Sequence, residues 1–280
     1  MNIFEAIILG IIQGITEFLP ISSTAHLTLA GKFFGIVQRL DPEDWTAFMA
    51  IMQLGTVVAV VIYFFKDYLL IYKGVMGDLK NGCLINKSAC SNESRLAGKI
   101  IIGTIPIIVI ALIFKDFIQG TFTKELSTIA TSLIGLAIFL FWAERKGTHL
   151  RSENNTNWRD ALVVGLAQAV ALIPGSSRSG TTITAGLFLG LERETAARFS
   201  FHLSIPAVLA SGLYEFYESR QHIGDIGIEP IIVSAIVAGI VGYWSISFLL
   251  KFLQKHTTYL FISYRIVLGI AIWIYILTRA

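Results

Sequence analysis

The stretch GIIQGITEFLPISSTAH, residues 10–26, begins as a membrane helix and then stops short of being one. The mostly apolar run Ile3–Ile15 ends in Thr16, Glu17, Pro20, Ser22, Ser23, Thr24 and His26, and Leu27–Val37 then resumes, interrupted by Lys32. A second stretch behaves alike: Ala161–Ile173 runs into PGSSRSG (174–180), and Ile183–Leu191 follows. At ~1.5 Å of rise per residue, each piece covers about half to two-thirds of a ~30 Å hydrocarbon core. Half-length helices meeting at a polar break predict a hairpin that enters and leaves by one face. Irregular backbone at that depth is tolerated only inside protein or beside a water-filled cavity, because each unsatisfied polar group costs several kcal/mol in lipid. The two breaks are therefore expected to face each other.

The rest of the chain reads as membrane spans. Of 280 residues, 54% are hydrophobic and 15% charged, with a mean hydropathy of +0.69. That leaves too little polar surface for a soluble domain of this length. Segments near 46–65, 99–115, 126–143, 199–217, 229–250 and 258–279 qualify as spans of about 20 residues. No basic region followed by a small-residue cleavage site marks the N-terminus as a removable leader. A formal net charge of +3, well dispersed, argues against nucleic acid as a partner. Cys83 and Cys90 share one polar loop without a nearby histidine, which reads as two ordinary thiols rather than a metal site.

Lysine and arginine placement orients the chain. Loops 66–99 and 144–198 and the 251–257 turn carry fourteen of them against six on the other side, with Arg178 and Arg265 inside membrane segments. The basic loops are expected in the cytoplasm. Arg265, near the cytoplasmic end of its span, is expected to snorkel to the interface, and Trp45, Tyr63 and Trp142 to act as interfacial anchors.

The chain also resembles itself. GIIQGITEFLPISS (10–23) and GLAQAVALIPGSS (165–177) share G-x-x-Q and then Pro-x-Ser-Ser, with a one-residue gap. FMAIMQLGTVVAV (48–60) pairs with FSFHLSIPAVLAS (199–211), and LIGLAIF (133–139) with VLGIAIW (267–273). Each half then holds one hairpin and three spans. Three is odd, so the halves insert oppositely, with a site at the midplane between them. The expected fold is an all-α polytopic membrane protein, a single integral domain over 1–280. It has six transmembrane helices and two re-entrant hairpins in an inverted-topology repeat, with halves near 1–150 and 151–280.

The two breaks carry complementary chemistry. Gln13 and Glu17 share a helix face, while Ser23 and His26 are spaced as a nucleophile and its base. In the second break Ser176, Ser177, Ser179, Gly180, Thr181 and Thr182 offer hydroxyls and amides at a helix start, a ready anion site. Arg178 adds a fork suited to two phosphate oxygens. Burying Glu17 and Arg178 costs about 2.5–3.5 kcal/mol each on an insertion scale. Mutual pairing offsets part of that, so a bare ion-pair clip is the simpler reading. A clip has no use for the hydroxyls or the histidine, and an oxyanion has.

These residues resemble a known family. GIIQGITEFLPISSTAH and PGSSRSGTT, together with FMAIMQLGTVVAVV and YRIVLGIAI, are similar over nearly the whole chain to the bacterial undecaprenyl-diphosphate phosphatases (BacA/UppP, bacitracin resistance). The resemblance implies removal of one phosphate from undecaprenyl diphosphate, recycling a lipid carrier for peptidoglycan in the plasma membrane, at a pocket open to the periplasm. It implies a divalent cation, Mg²⁺ or Ca²⁺, with Glu17 as its ligand. It places the nucleophile on Ser23, with His26 as base or as the nucleophile itself, and the phosphate clamp on Arg178. Around them it sets Gln13, Ser22, Thr24, Ser176, Ser177, Ser179 and Gly180 as substrate-binding residues. Gln13 stands where many relatives have glutamate, so charge-based roles fall to Glu17 alone. Membrane lipids are the other partner, and a homodimer is left open. The rival reading is a polyprenyl-phosphate transporter, since inverted repeats with broken helices also build carriers.

Overall fold

A computed structural model describes residues 1–81, 90–114, 125–218 and 227–279. Around the first break lie α1 (Ile3–Thr16), α2 (Ser23–Phe33) and α3 (Ile36–Arg39). Then come α4 (Pro42–Tyr63), α5 (Phe65–Lys80), α6 (Asn92–Ile113) and α7 (Leu126–Lys146). The second break lies between α8 (Trp158–Ala169) and α9 (Arg178–Phe188). After it run α10 (Arg193–Glu218), α11 (Ile228–Lys255) and α12 (Tyr259–Arg279). Cys83 and His222, both read as unremarkable, lie outside the described residues. Cys90 forms no disulfide among them.

Both helices that lead into a break start with the same device. Asn2 Oδ1 accepts the Glu5 N–H at 2.8 Å, and the Glu5 carboxylate accepts the Asn2 N–H at 3.0 Å. Asn157 and Asp160 repeat this reciprocal capping box at 2.9 and 2.8 Å. Both helices that leave a break start alike as well, on a serine in left-handed backbone: Ser22 at φ 76° and Ser177 at φ 67°. Positive φ is uncommon outside glycine. Each serine stabilises its turn by capping, Ser22 Oγ accepting from Ala25 N and Ser177 Oγ from Gly180 N. From Asn2 to Asn157, and from Ser22 to Ser177, the spacing is 155 positions. The gap that aligned the two Pro-x-Ser-Ser runs is thus absent from the backbone: Ser23 corresponds to Arg178, and Glu17 to Leu172.

Among the described residues, five helices are long and apolar enough to cross a membrane: Asp44–Tyr63, Asn92–Ile113, Leu126–Lys146, Ile228–Lys255 and Tyr259–Thr278. The segment expected as a sixth span is helical within α10, but its charged first turns and its serines keep it off that set. Loop 66–99 contains α5, which the sequence reading took for a connection. α1 packs along α11 and α8 along α6, while α4 meets α10 and α7 meets α12. Close backbone approach makes the α8–α6 contact: a Cβ on Gly165 would lie 2.2 Å from Gly103 O, the small-residue packing that membranes favour.

The breaks lie inside protein, as the hydrogen-bond argument demanded. Phe18, Leu19 and Ile21 are buried in the main core, with Phe18 edge-on to Phe201 at 5.3 Å. Ser179 Oγ donates to Leu19 O across the breaks at 3.0 Å. One anchor moves inward. Trp45 is buried, stacked on Phe48 and closed over Gly31, because α2 folds back against the start of α4.

Candidate active site

Glu17 is where the breaks meet. It is the C-cap of α1, 7% exposed, and both its oxygens are engaged. Oε1 accepts from Arg178 Nη2 at 2.5 Å. Oε2 accepts from Gln13 Nε2 at 3.0 Å and from Ser23 Oγ at 2.6 Å. One buried carboxylate therefore touches the first residue of the helix after each break, Ser23 from one side and Arg178 from the other. Three donors, one of them cationic, offset much of the cost of burying it. Arg178 Nη1 also donates to Ser204 O of α10 at 3.3 Å.

Ser23 and His26, expected as a pair, are each hydrogen-bonded elsewhere. His26 Nδ1 lies 2.7 Å from Ser22 O, which only an N–H can satisfy, and Nε2 lies 2.6 Å from Tyr264 Oη. Nε2 is then the acceptor of the Tyr264 hydroxyl, whose ring is stacked beside it at 5.6 Å. His26 thus braces the left-handed Ser22, and the carboxylate of Glu17 is the group that contacts Ser23 Oγ. Spacing of three on a helix puts two residues on one face but does not say what lies across a break.

A cavity of about 450 Å³ opens from this point. Glu17, Ser22, Ser23, Thr24, Ser177 and Arg178 form its polar end, and Ile107, Ile108, Leu112, Leu172 and Val208 form apolar walls. Such a cavity suits an amphiphile with an anionic head. Gln53, at the start of a span, lines it, as do Tyr214 and Glu215, which the sequence reading passed over for want of any local pattern. Four expected ligands sit behind the wall. Gln13 is fully buried and reaches Glu17 only. Ser176 is fully buried, its Oγ unpartnered among the described residues. Ser179 bonds Leu19 O, and the Gly180 N–H is taken by Ser177 Oγ.

Arg265 is a correction. It does not snorkel: it is 0% exposed, donating to Pro20 O, Gly175 O and Ser176 O of the two breaks and to Leu133 O and Ser132 O of α7. Carbonyls gathered from three elements hold it inside. The divalent cation fares differently. Both Glu17 oxygens accept hydrogen bonds, Gln13 Oε1 beside them has no partner among the described residues, and no group of three His, Cys, Asp or Glu side chains comes together there. Glu17 is the residue that could hold a cation, with too few protein ligands for a full cage.

A multi-pass helical membrane protein with a serine, a carboxylate and an arginine converging inside an amphiphile-shaped cavity defines the class. Over residues 6–271 the chain matches the family model of bacitracin resistance protein BacA, and it belongs to that family. It is 50% identical over 269 residues to an undecaprenyl-diphosphatase of Syntrophobacter fumaroxidans, covering 96% of this chain and 95% of that one. Undecaprenyl-diphosphatases of Chlorobium phaeobacteroides and Chlorobaculum tepidum are each 50% identical over 281 residues, covering 97% of this chain and 96% of theirs.

Proposed function

We propose that this chain hydrolyses undecaprenyl diphosphate to undecaprenyl phosphate and inorganic phosphate, returning the lipid carrier to cell-envelope synthesis and conferring bacitracin resistance. The observation that carries the reading is Ser23 Oγ donating to Glu17 Oε2 at the polar end of the cavity. A carrier needs phosphate ligands but no hydroxyl poised on a carboxylate, so the transporter reading is not favoured, and the relatives' names agree.

The chemistry follows from the contacts. The terminal phosphate takes Arg178 away from Glu17 and settles on its fork and on the amides that open α9. Ser23 Oγ attacks the terminal phosphorus while Glu17 takes its proton. The bond to the bridging oxygen breaks, and undecaprenyl phosphate leaves as an anion. Glu17 gives the proton up to solvent, then takes one from the water that attacks the phosphoserine and hands it to Ser23 Oγ as inorganic phosphate leaves, so each turnover consumes one water. Positioning and charge stabilisation supply most of the acceleration in phosphoryl transfer. Mg²⁺ or Ca²⁺, when bound, would be held by Glu17 together with the diphosphate and would offset its charge.

The membrane arrangement belongs to the same proposal. α10 serves as the sixth span, and the helix pairs α1–α2 and α8–α9 as re-entrant hairpins. The halves, near 1–150 and 151–280, insert oppositely. The constant spacing of the caps and the matching contacts of α1 with α11 and of α8 with α6 support this. The basic loops lie in the cytoplasm of a bacterial plasma membrane, and the cavity opens to the periplasmic face. The deciding experiment is phosphate release from undecaprenyl diphosphate by the purified protein in detergent, with and without EDTA, beside Arg178→Ala. Release by the wild type that collapses in the variant is expected. No release by well-folded wild type with added Mg²⁺ or Ca²⁺ would overturn the reading.

A further inference from the structure

We propose that Arg265 is a positioning residue: its guanidinium ties the two breaks together through their carbonyls, so that the second break presents its amides, not its carbonyls, to the anion. This deepens the diphosphatase reading and rests on it for one of its two assays.

Three observations carry it. Arg265 is fully buried, and no carboxylate lies within ion-pair distance of it among the described residues. All five of its acceptors are backbone carbonyls, the nearest Ser176 O at 2.9 Å, followed by Leu133 O at 3.2 Å and Gly175 O at 3.3 Å. A guanidinium kept inside a membrane protein without a counter-charge is costly and usually marks function. Only arginine offers five donors in a rigid fork.

Peptide geometry supplies the second argument. In a trans peptide the C=O and the following N–H point in opposite directions. With Gly175 O and Ser176 O turned onto Arg265, the N–H groups of Ser176 and Ser177 turn away from it. Ile173 O takes that of Ser176 at 3.1 Å. The Ser177 amide remains, beside those of Arg178 and Ser179, which the first turn of a helix leaves without intrahelical partners. Ser177 and Arg178 line the cavity. The carbonyls, which would repel phosphate, are held on the far side.

Gly180 supplies the third. A Cβ there would lie 2.5 Å from Arg265 Nη1. Its N–H serves the Ser177 cap and not a ligand, so its missing side chain is the space in which the guanidinium sits.

The test uses Arg265→Lys and Gly180→Ala in full-length protein in detergent, with thermal unfolding as the fold control. Lysine keeps the charge but not the fork, and Gly180→Ala keeps Arg265 but shifts it. Both are expected to weaken calorimetric binding of inorganic diphosphate about tenfold. Both should lower kcat for phosphate release about a hundredfold, the scale of a 1 Å misplacement, with KM changing less. A variant that melts lower yet binds inorganic diphosphate and turns over like the wild type would show that Arg265 is only scaffold. Should Arg265→Lys not fold, Gly180→Ala decides alone. Absence of release by the wild type would sink the diphosphatase reading, and the inorganic diphosphate affinities would still judge Arg265.

Discussion

The two breaks share a backbone and divide the chemistry. Each has an asparagine-capped helix entering, a left-handed serine turning the chain, and an eleven-residue helix leaving. On that common frame the first break carries Glu17 and Ser23, the attacking half of the proposed reaction. The second has Leu172 and Arg178 at the same places, its proposed anion-holding half. Even the buried glutamines differ. Gln13 donates to Glu17, whereas both polar atoms of Gln168 lack a hydrogen-bond partner among the described residues. A backbone can thus be used twice while a reaction is split between the copies by a few side chains.

Substitutions on either side can break or sharpen that division. The largest effect belongs to the attacking half. Ser23→Ala should abolish trapping of a phosphoenzyme and cut turnover by roughly 10⁴-fold or more, and Glu17→Gln by about 10³-fold. Near-normal turnover in either would remove the attacking role from the first break. Next comes Arg178→Lys, which keeps the charge and loses the fork, at about 10²-fold in kcat/KM. Full activity there would mean that charge alone matters in the second break. Smaller still, Gln13→Leu should cost about tenfold in kcat. Gln168→Leu should leave activity unchanged and melting equal or higher, because an unsatisfied buried amide is removed. Equal losses at the two glutamines would erase the distinction.

Much of this site was legible in the sequence, because polar residues in a greasy chain can only be where protein shelters them. The breaks and their facing followed from that constraint, whereas the Glu17–Arg178 pair entered only as the ion-pair clip set against an oxyanion site. The partner of Ser23 did not, since the path between Glu17 and Ser23 depends on a serine in left-handed backbone that no periodicity announces. Arg265 was misread for a different reason. Its acceptors are carbonyls, which carry no residue type, and they come from elements more than eighty positions away. The false gap between the two halves arose because Pro-x-Ser-Ser matched by letter, while the backbone matched by its caps.

The clamp also sets a schedule. Arg265 follows Ser177 by 88 positions, on the order of ten seconds of ribosomal synthesis. During that interval a nascent chain already holds Glu17, Ser23 and Arg178 in the membrane, with the carbonyls of both breaks still ungathered. A chain stalled within α11 thus owns every residue that meets the phosphate and still lacks a formed pocket for it. With Arg265 in its proposed role, activity waits for α12, and a chain cut short of its closing helix should release no phosphate.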